Sequence, residues 1–174
     1  MRLDRRAFSL LASSLAGCAV APGLSLAPQK GAHLVLLGVG GGPRPRRSNS
    51  TSAQVVVVDG SLYVIDCGDG VARQLVMAGL SLDRLRHVFL THHHSDHTAD
   101  YGNLLLLAWT AGLRTQVGAW GPPPLDAITR DFFEMNATDI ETRIADEQRI
   151  PLQPLVQVHE VSEGGLLFQD AGVT

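Results

Sequence analysis

Four of the chain's seven histidines stand together with one carboxylate in Thr91-His92-His93-His94-Ser95-Asp96-His97. Imidazole nitrogens and a carboxylate oxygen at this density form a metal-ligand set. It suits zinc, with manganese or iron as competitors. In an extended segment successive side chains alternate, so His92 and His94 project to one side, where both reach one ion at about 2.0–2.1 Å, and His93 points away. As the chain turns toward a following helix, Asp96 and His97 become neighbours and address a second ion beside the first. Paired ions of hydrolytic sites lie about 3.5–4 Å apart and share a water or hydroxide whose pKa falls toward neutrality. Such a loop prepares a nucleophile at neutral pH, and Asp96 is the residue that orients or deprotonates it.

The elements that must hold this loop are legible from hydrophobic periodicity. Residues 33–39 read as a strand ending in Gly38-Val39-Gly40-Gly41-Gly42. Residues 54–59 and 62–66 read as two further strands joined at Asp59-Gly60, and residues 71–78 as a short helix. Residues 87–91 form the next strand, apolar enough to be buried on both faces, and it ends at the histidine loop. After the loop, residues 99–111 spell a leucine-rich helix closed by Gly112. Further on, residues 115–120 suit a strand, Gly121-Pro122-Pro123-Pro124 breaks it, and residues 125–145 have helical spacing. Strands are then expected at 156–161 and 166–168. The fold class is α/β.

Two glycine clusters invite other readings. Gly38 to Gly42 lacks the Lys-Ser/Thr of a phosphate loop, and Pro43 and Pro45 prevent a helix from opening after it, so it reads as a turn. Gly68-Asp69-Gly70 is too short for a dinucleotide fingerprint, and lets the backbone bend close to the metal loop.

The ordered set of glycine-rich opening, Ile65-Asp66-Cys67-Gly68-Asp69-Gly70 turn and His92-x-His94-x-Asp96-His97 loop resembles the metallo-β-lactamase superfamily, in its ribonuclease Z and arylsulfatase-like branch. The resemblance covers most of residues 33–112. It implies an αββα sandwich of which this chain holds the N-terminal portion. It further implies that His92 and His94 bind one zinc, that Asp96 and His97 bind a second, and that Asp66 supports the site from behind. Family members need another histidine, a bridging aspartate and a last histidine after the loop, yet the only later histidine is His159. His159 reads as a strand residue facing solvent or a polar neighbour, which leaves four ligands for two ions and an apparently truncated domain.

Length, charge and cysteine usage set the outer bounds. A chain of 174 residues with a formal charge of −3 and 45% hydrophobic residues suits one globular domain. Lys30 is the only lysine, and the one basic run, Arg44-Pro45-Arg46-Arg47, reads as a solvated loop, so no strong nucleic-acid signal is present. Arg5-Arg6-Ala7-Phe8 followed by a short apolar stretch and Leu15-Ala16-Gly17-Cys18 resembles a twin-arginine signal ending in a lipobox. Residues 1–18 are then an export signal, residues 19–30 a linker, and residues 31–174 the domain. Cys18 becomes a lipid anchor to the membrane, and the protein is expected in the periplasm. With Cys18 so used, Cys67 remains alone and reads as a small buried residue.

The expected function is a metal-dependent hydrolase of a small-molecule ester: a phosphodiester, sulfate ester or lactone. The alternatives are a non-catalytic metal-binding lipoprotein or inactive fragment, and a ribonuclease Z-like phosphodiesterase. Histidines that merely decorate a surface loop are a further rival, disfavoured because the flanking strand, helix and upstream motifs agree on one site.

Overall fold

The valine-rich run of β2 (Ala53–Val58) alternates strictly between fully and partly buried positions, the pattern of a strand with one face on a core. It pairs antiparallel with β1 (Ala32–Gly38) on one side and β3 (Ser61–Ile65) on the other. The β2–β3 turn is Asp59-Gly60, both at positive φ (46° and 83°), as a two-residue hairpin of this twist requires. The structure, a computed structural model, describes residues 30–169 and residue 173. The export signal with its Cys18 anchor, and the linker up to residue 29, lie outside the described residues.

Beyond β3 the chain crosses over through α1 (Val71–Met77), and β4 (Leu85–Phe89), β5 (Val117–Gly121) and β6 (Val156–Glu160) add in parallel. The result is a six-stranded sheet in sequential order β1 to β6. Strand register puts Val55, Val57, Leu62, Val64, Val88, Val117 and Ala119 on one face. There they share a single core with Leu75 of α1, with Leu104, Leu105 and Trp109 of α3 (Tyr101–Thr110), and with Leu125 and Phe133 of α4 (Leu125–Met135). This is one helical layer on one sheet, half of the layers of the expected αββα sandwich.

The opposite face carries Leu34 and Leu36, which are 64% and 62% exposed. It also carries Tyr63, His87, Phe89 and Trp120, whose rings gather around Phe168.

Three expectations need correction. β4 begins at Leu85 and ends at Phe89, and only Leu85 and Val88 are buried, so its two faces differ. His87 and Phe89 look apolar-compatible in sequence but belong to the aromatic face. The expected helix over 125–145 is two helices, α4 and α5 (Ala137–Glu147), broken at Asn136. There the Asn136 side-chain amide donates to the Phe132 carbonyl at 2.8 Å, a local bond that competes with helix continuation. Residues 166–168 form no strand; Phe168 instead lies over the sheet, 4.4 Å from the His87 ring centroid.

Candidate metal centre

The loop leaves the carboxyl end of β4, beside the carboxyl end of β3, where open parallel sheets place their functional crevices. Asp66 follows β3 directly, and its backbone N–H donates to the Phe89 carbonyl at 2.8 Å, which brings the two strand ends together. Asp66 is only 3% exposed and sits at φ 60°, a left-handed conformation that aspartate tolerates better than most residues. Its Oδ1 accepts the Thr91 backbone N–H at 2.9 Å and the Thr91 hydroxyl at 2.9 Å. Its Oδ2 accepts His97 Nδ1–H at 2.7 Å.

One buried carboxylate therefore orients two histidines. For His97 the action is direct, since a proton held at Nδ1 leaves the Nε2 lone pair free. For His92 it runs through Thr91, whose hydroxyl donates to Asp66 and accepts His92 Nδ1–H at 3.0 Å. His92 Nε2 then faces His94 Nδ1 at 3.2 Å. That separation is close to the roughly 3.4 Å between two nitrogens on one tetrahedral zinc.

Asp96 and His97 open α2 (Ser95–Thr98), and His97 Nε2 lies 3.6 Å from Asp96 Oδ2. The glycine-rich loop after β1 reaches over to this pair, with the Gly42 N–H donating to Asp96 Oδ2 at 2.7 Å. That bond holds the Asp96 carboxyl below the ordinary carboxylate range; partial burial opposes the effect, and the nearby His97 and His94 assist it. Asp96 accordingly stays ionised and able to ligate.

The donors thus come as two pairs, His92 with His94 and Asp96 with His97, and the His92 and His97 ring centroids are 4.1 Å apart. Among the described residues no three such side chains are arranged to hold one ion. The donor chemistry fits divalent ions, with half of a closed four-ligand zinc shell in each pair. His93 turns away, as alternation requires, and its Nε2 donates to the Pro122 carbonyl at 2.8 Å. His159 takes no part: it lies on the aromatic face, stacked on Trp120 with centroids 4.0 Å apart.

Thr91 and the Gly42 N–H are site residues that sequence reading missed. A threonine beside a histidine has no distinctive spacing, and a backbone N–H leaves no signature in sequence at all. The turn after Asp66 is tied to the loop by further backbone bonds, Cys67 N–H to the His97 carbonyl at 2.6 Å and Asp100 N–H to the Cys67 carbonyl at 2.9 Å. The Cys67 side chain is buried, and burial first, then the charges of Asp66 and Asp100, push its thiol well above the ordinary value. Native protein should therefore leave Cys67 unmodified by a thiol reagent at pH about 8, with labelling only on unfolding. Fast labelling of a Cys18→Ser variant in native buffer would contradict that burial.

Comparison with known proteins places this arrangement. The family model of the metallo-beta-lactamase superfamily matches residues 46–165. Ribonuclease Z from Mycobacterium sp. (strain KMS) is 35% identical over 144 residues, which are 82% of this chain and 50% of that protein. Ribonuclease Z from Mycobacterium marinum is 31% identical over 141 residues, 79% of this chain and 50% of that protein. The chain thus spans about half the length of the curated relatives it matches.

Among solved structures, human short-form tRNase Z aligns with a TM-score of 0.63 at 22% identity, covering 79% of this chain and 55% of that one. The Bacillus subtilis metallo-beta-lactamase fold protein YhfI aligns with a TM-score of 0.55 at 20% identity, covering 80% of this chain and 49% of that one. At these identities the structural likeness is one of fold. The ribonuclease names of these relatives overturn the expectation of a small-molecule ester substrate without a nucleic-acid partner. A net charge of −3 with a single lysine is no compositional argument against such a partner, since charge totals do not locate the arginines on the folded surface. The twin-arginine and lipoprotein reading of residues 1–18 finds no support among these relatives. With the family model matching well over half of its length and the sheet, turn and histidine loop in the order that resemblance implied, the chain belongs to the metallo-β-lactamase superfamily.

Proposed function

We propose that this domain carries the histidine-loop half of a metal-dependent phosphodiesterase acting on RNA. The observation that carries the reading is the pairing of donors at the strand ends, His92 with His94 and Asp96 with His97, each pair oriented from behind by Asp66, Thr91 or Gly42. The four side chains would hold two divalent ions, zinc by ligand type, with manganese or iron as alternatives. A bound ion of this kind lowers the pKa of a water and stabilises charge developing on a phosphoryl oxygen. Asp66 and Thr91 keep the imidazole protons on the nitrogens away from the ions, and the ionised Asp96 can accept a proton from the attacking water.

The arginine loop supports an RNA substrate. Residues 44–47 are exposed and begin two positions after Gly42, the residue bonded to Asp96. Arg44, Arg46 and Arg47 form no ion pair among the described residues, and Arg46 is held on the Gly41 carbonyl. Guanidinium groups beside a phosphodiester-cleaving centre would meet backbone phosphates, which fix register without reading sequence. Two donors per ion instead of four favour a second reading, in which this chain alone binds metal with little turnover.

The test is metal content together with cleavage of a fluorescent RNA by the purified chain. We expect uptake of zinc or manganese that His92→Ala and His94→Ala abolish, and slow RNA cleavage that EDTA removes. Uptake without cleavage would favour the second reading; no uptake by the wild-type chain would overturn both.

A further inference from the structure

His93 is the one histidine of the loop outside both donor pairs, yet it is well anchored. Its Nε2 lies 2.8 Å from the Pro122 carbonyl oxygen and 3.2 Å from that of Pro123, while its buried Nδ1 has no hydrogen-bond partner. Two carbonyl acceptors at one nitrogen assign the proton to Nε2, because a carbonyl only accepts. Leaving Nδ1 buried and unpaired is unfavourable, so the side chain is held where it is by what Nε2 binds.

What Nε2 binds is a turn built of three prolines. Pro122-Pro123-Pro124 offers three carbonyls and no N–H group, so its backbone has no donors of its own. The Pro122 carbonyl has one long backbone bond, from Leu125 N–H at 3.3 Å, besides the bond from His93. This turn joins β5 to α4, whose first residue Leu125 is fully buried and whose Asp126 N–H is capped by Glu160 at 3.0 Å. His93 is thus the side chain that joins the donor loop to the start of α4. His92 and His94 flank it in an extended segment, so fixing His93 on one side fixes the direction of both neighbours on the other.

We propose that His93 is a positioning residue that clamps the donor loop to the Pro122–Pro123 turn and thereby holds His92 and His94 in their paired orientation. The metal part of this inference rests on the reading under Proposed function; the clamp itself does not. His93→Leu removes the donor at similar size. His93→Gln keeps an amide N–H at the reach of Nε2, and His93→Asn carries one too short to reach Pro122. Two quantities are measured on the metal-free and cobalt-titrated chain: hydrogen exchange of the amides at 94–98 and 125, and Co(II) affinity from its visible absorption.

We expect His93→Leu and His93→Asn to exchange faster in both segments and to bind Co(II) roughly 10–100-fold more weakly, with His93→Gln restoring both. Should His93→Leu fail to fold, the Gln and Asn pair decides the matter. Wild-type exchange and wild-type affinity in the Asn variant, or identical behaviour of Asn and Gln, would overturn the clamp. A wild-type chain that takes up no Co(II) would defeat the metal reading, and the exchange comparison would still decide the clamp.

Discussion

Replacing Asp66 by alanine is expected to cost about 3–5 kcal/mol of stability and, in the chain that survives, roughly 10–100-fold in divalent-metal affinity. Three donors, His97 Nδ1, the Thr91 N–H and the Thr91 hydroxyl, converge on this one carboxylate. Alanine leaves all three without it and also places a less tolerant residue at φ 60°. For a chain of this size the stability loss corresponds to a fall in Tm on the order of 10 °C. Asp66→Asn separates the two effects. Asparagine tolerates the left-handed backbone and keeps an acceptor for Thr91, so most of the stability should return. Its amide N–H₂ would then face His97 Nδ1, which moves the imidazole proton to Nε2, the atom beside Asp96. A protonated Nε2 is no ligand. Melting curves and metal titrations of the two variants test this: Asn should be near wild type in Tm and near Ala in metal affinity. An Asn variant that binds metal as wild type does would sink the assignment of Asp66 as the group that sets the His97 tautomer.

Gly68→Ala is expected to destabilise the domain by about 3 kcal/mol and to disturb Asp96. A methyl built on Gly68 would meet the Thr51 hydroxyl, the Asp96 carbonyl oxygen at 2.6 Å and the Ser52 carbonyl oxygen at 2.8 Å. Two of these are backbone atoms from different segments, so no rotamer change relieves the contact. The lead-in to β2 must move, or the first turn of α2 must move, and α2 carries Asp96 and His97. The Gly68 N–H to Ser52 carbonyl bond of 3.0 Å and the Asp69 N–H to Thr51 hydroxyl bond of 2.6 Å would be strained by either shift. Gly60→Ala is the control: it sits at φ 83° with open space around it and should cost about 1 kcal/mol through its backbone alone. Equal losses in the two variants would mean that close approach at Gly68 does not matter. A normal metal titration in Gly68→Ala would show that the turn does not position the loop.

Much of the fold was legible because one-sided burial writes itself into a chain as period-2 alternation. β1, β2 and β3 and the Asp59-Gly60 turn were expected within a residue or two of where they lie. β4 was harder: His87 and Phe89 suit either a core or an aromatic outer face, and composition alone does not say which side of a sheet is covered. The break between α4 and α5 was missed because Phe132, Phe133, Ile140 and Ile144 keep a helical spacing across Asn136. The interruption shows in the Asn136 backbone, at φ −102° and ψ 12°, and in its side-chain bond to the Phe132 carbonyl, and an asparagine on a polar helix face gives no warning of it.

The sequence by itself determined which side chains stand near one another in the histidine loop. Local spacing dictates that His92 and His94 share a side, that His93 opposes them and that Asp96 neighbours His97, since backbone geometry over a few residues leaves little choice. Only the tertiary structure decided how those atoms are aimed. Asp66 meets His97 across 31 positions, and Gly42 meets Asp96 across 54, because the β3–β4 pairing and the path of the loop after β1 bring these segments together. Tautomer, ionisation and orientation depend on such long-range hydrogen bonds, whose partners leave no periodic trace along the chain.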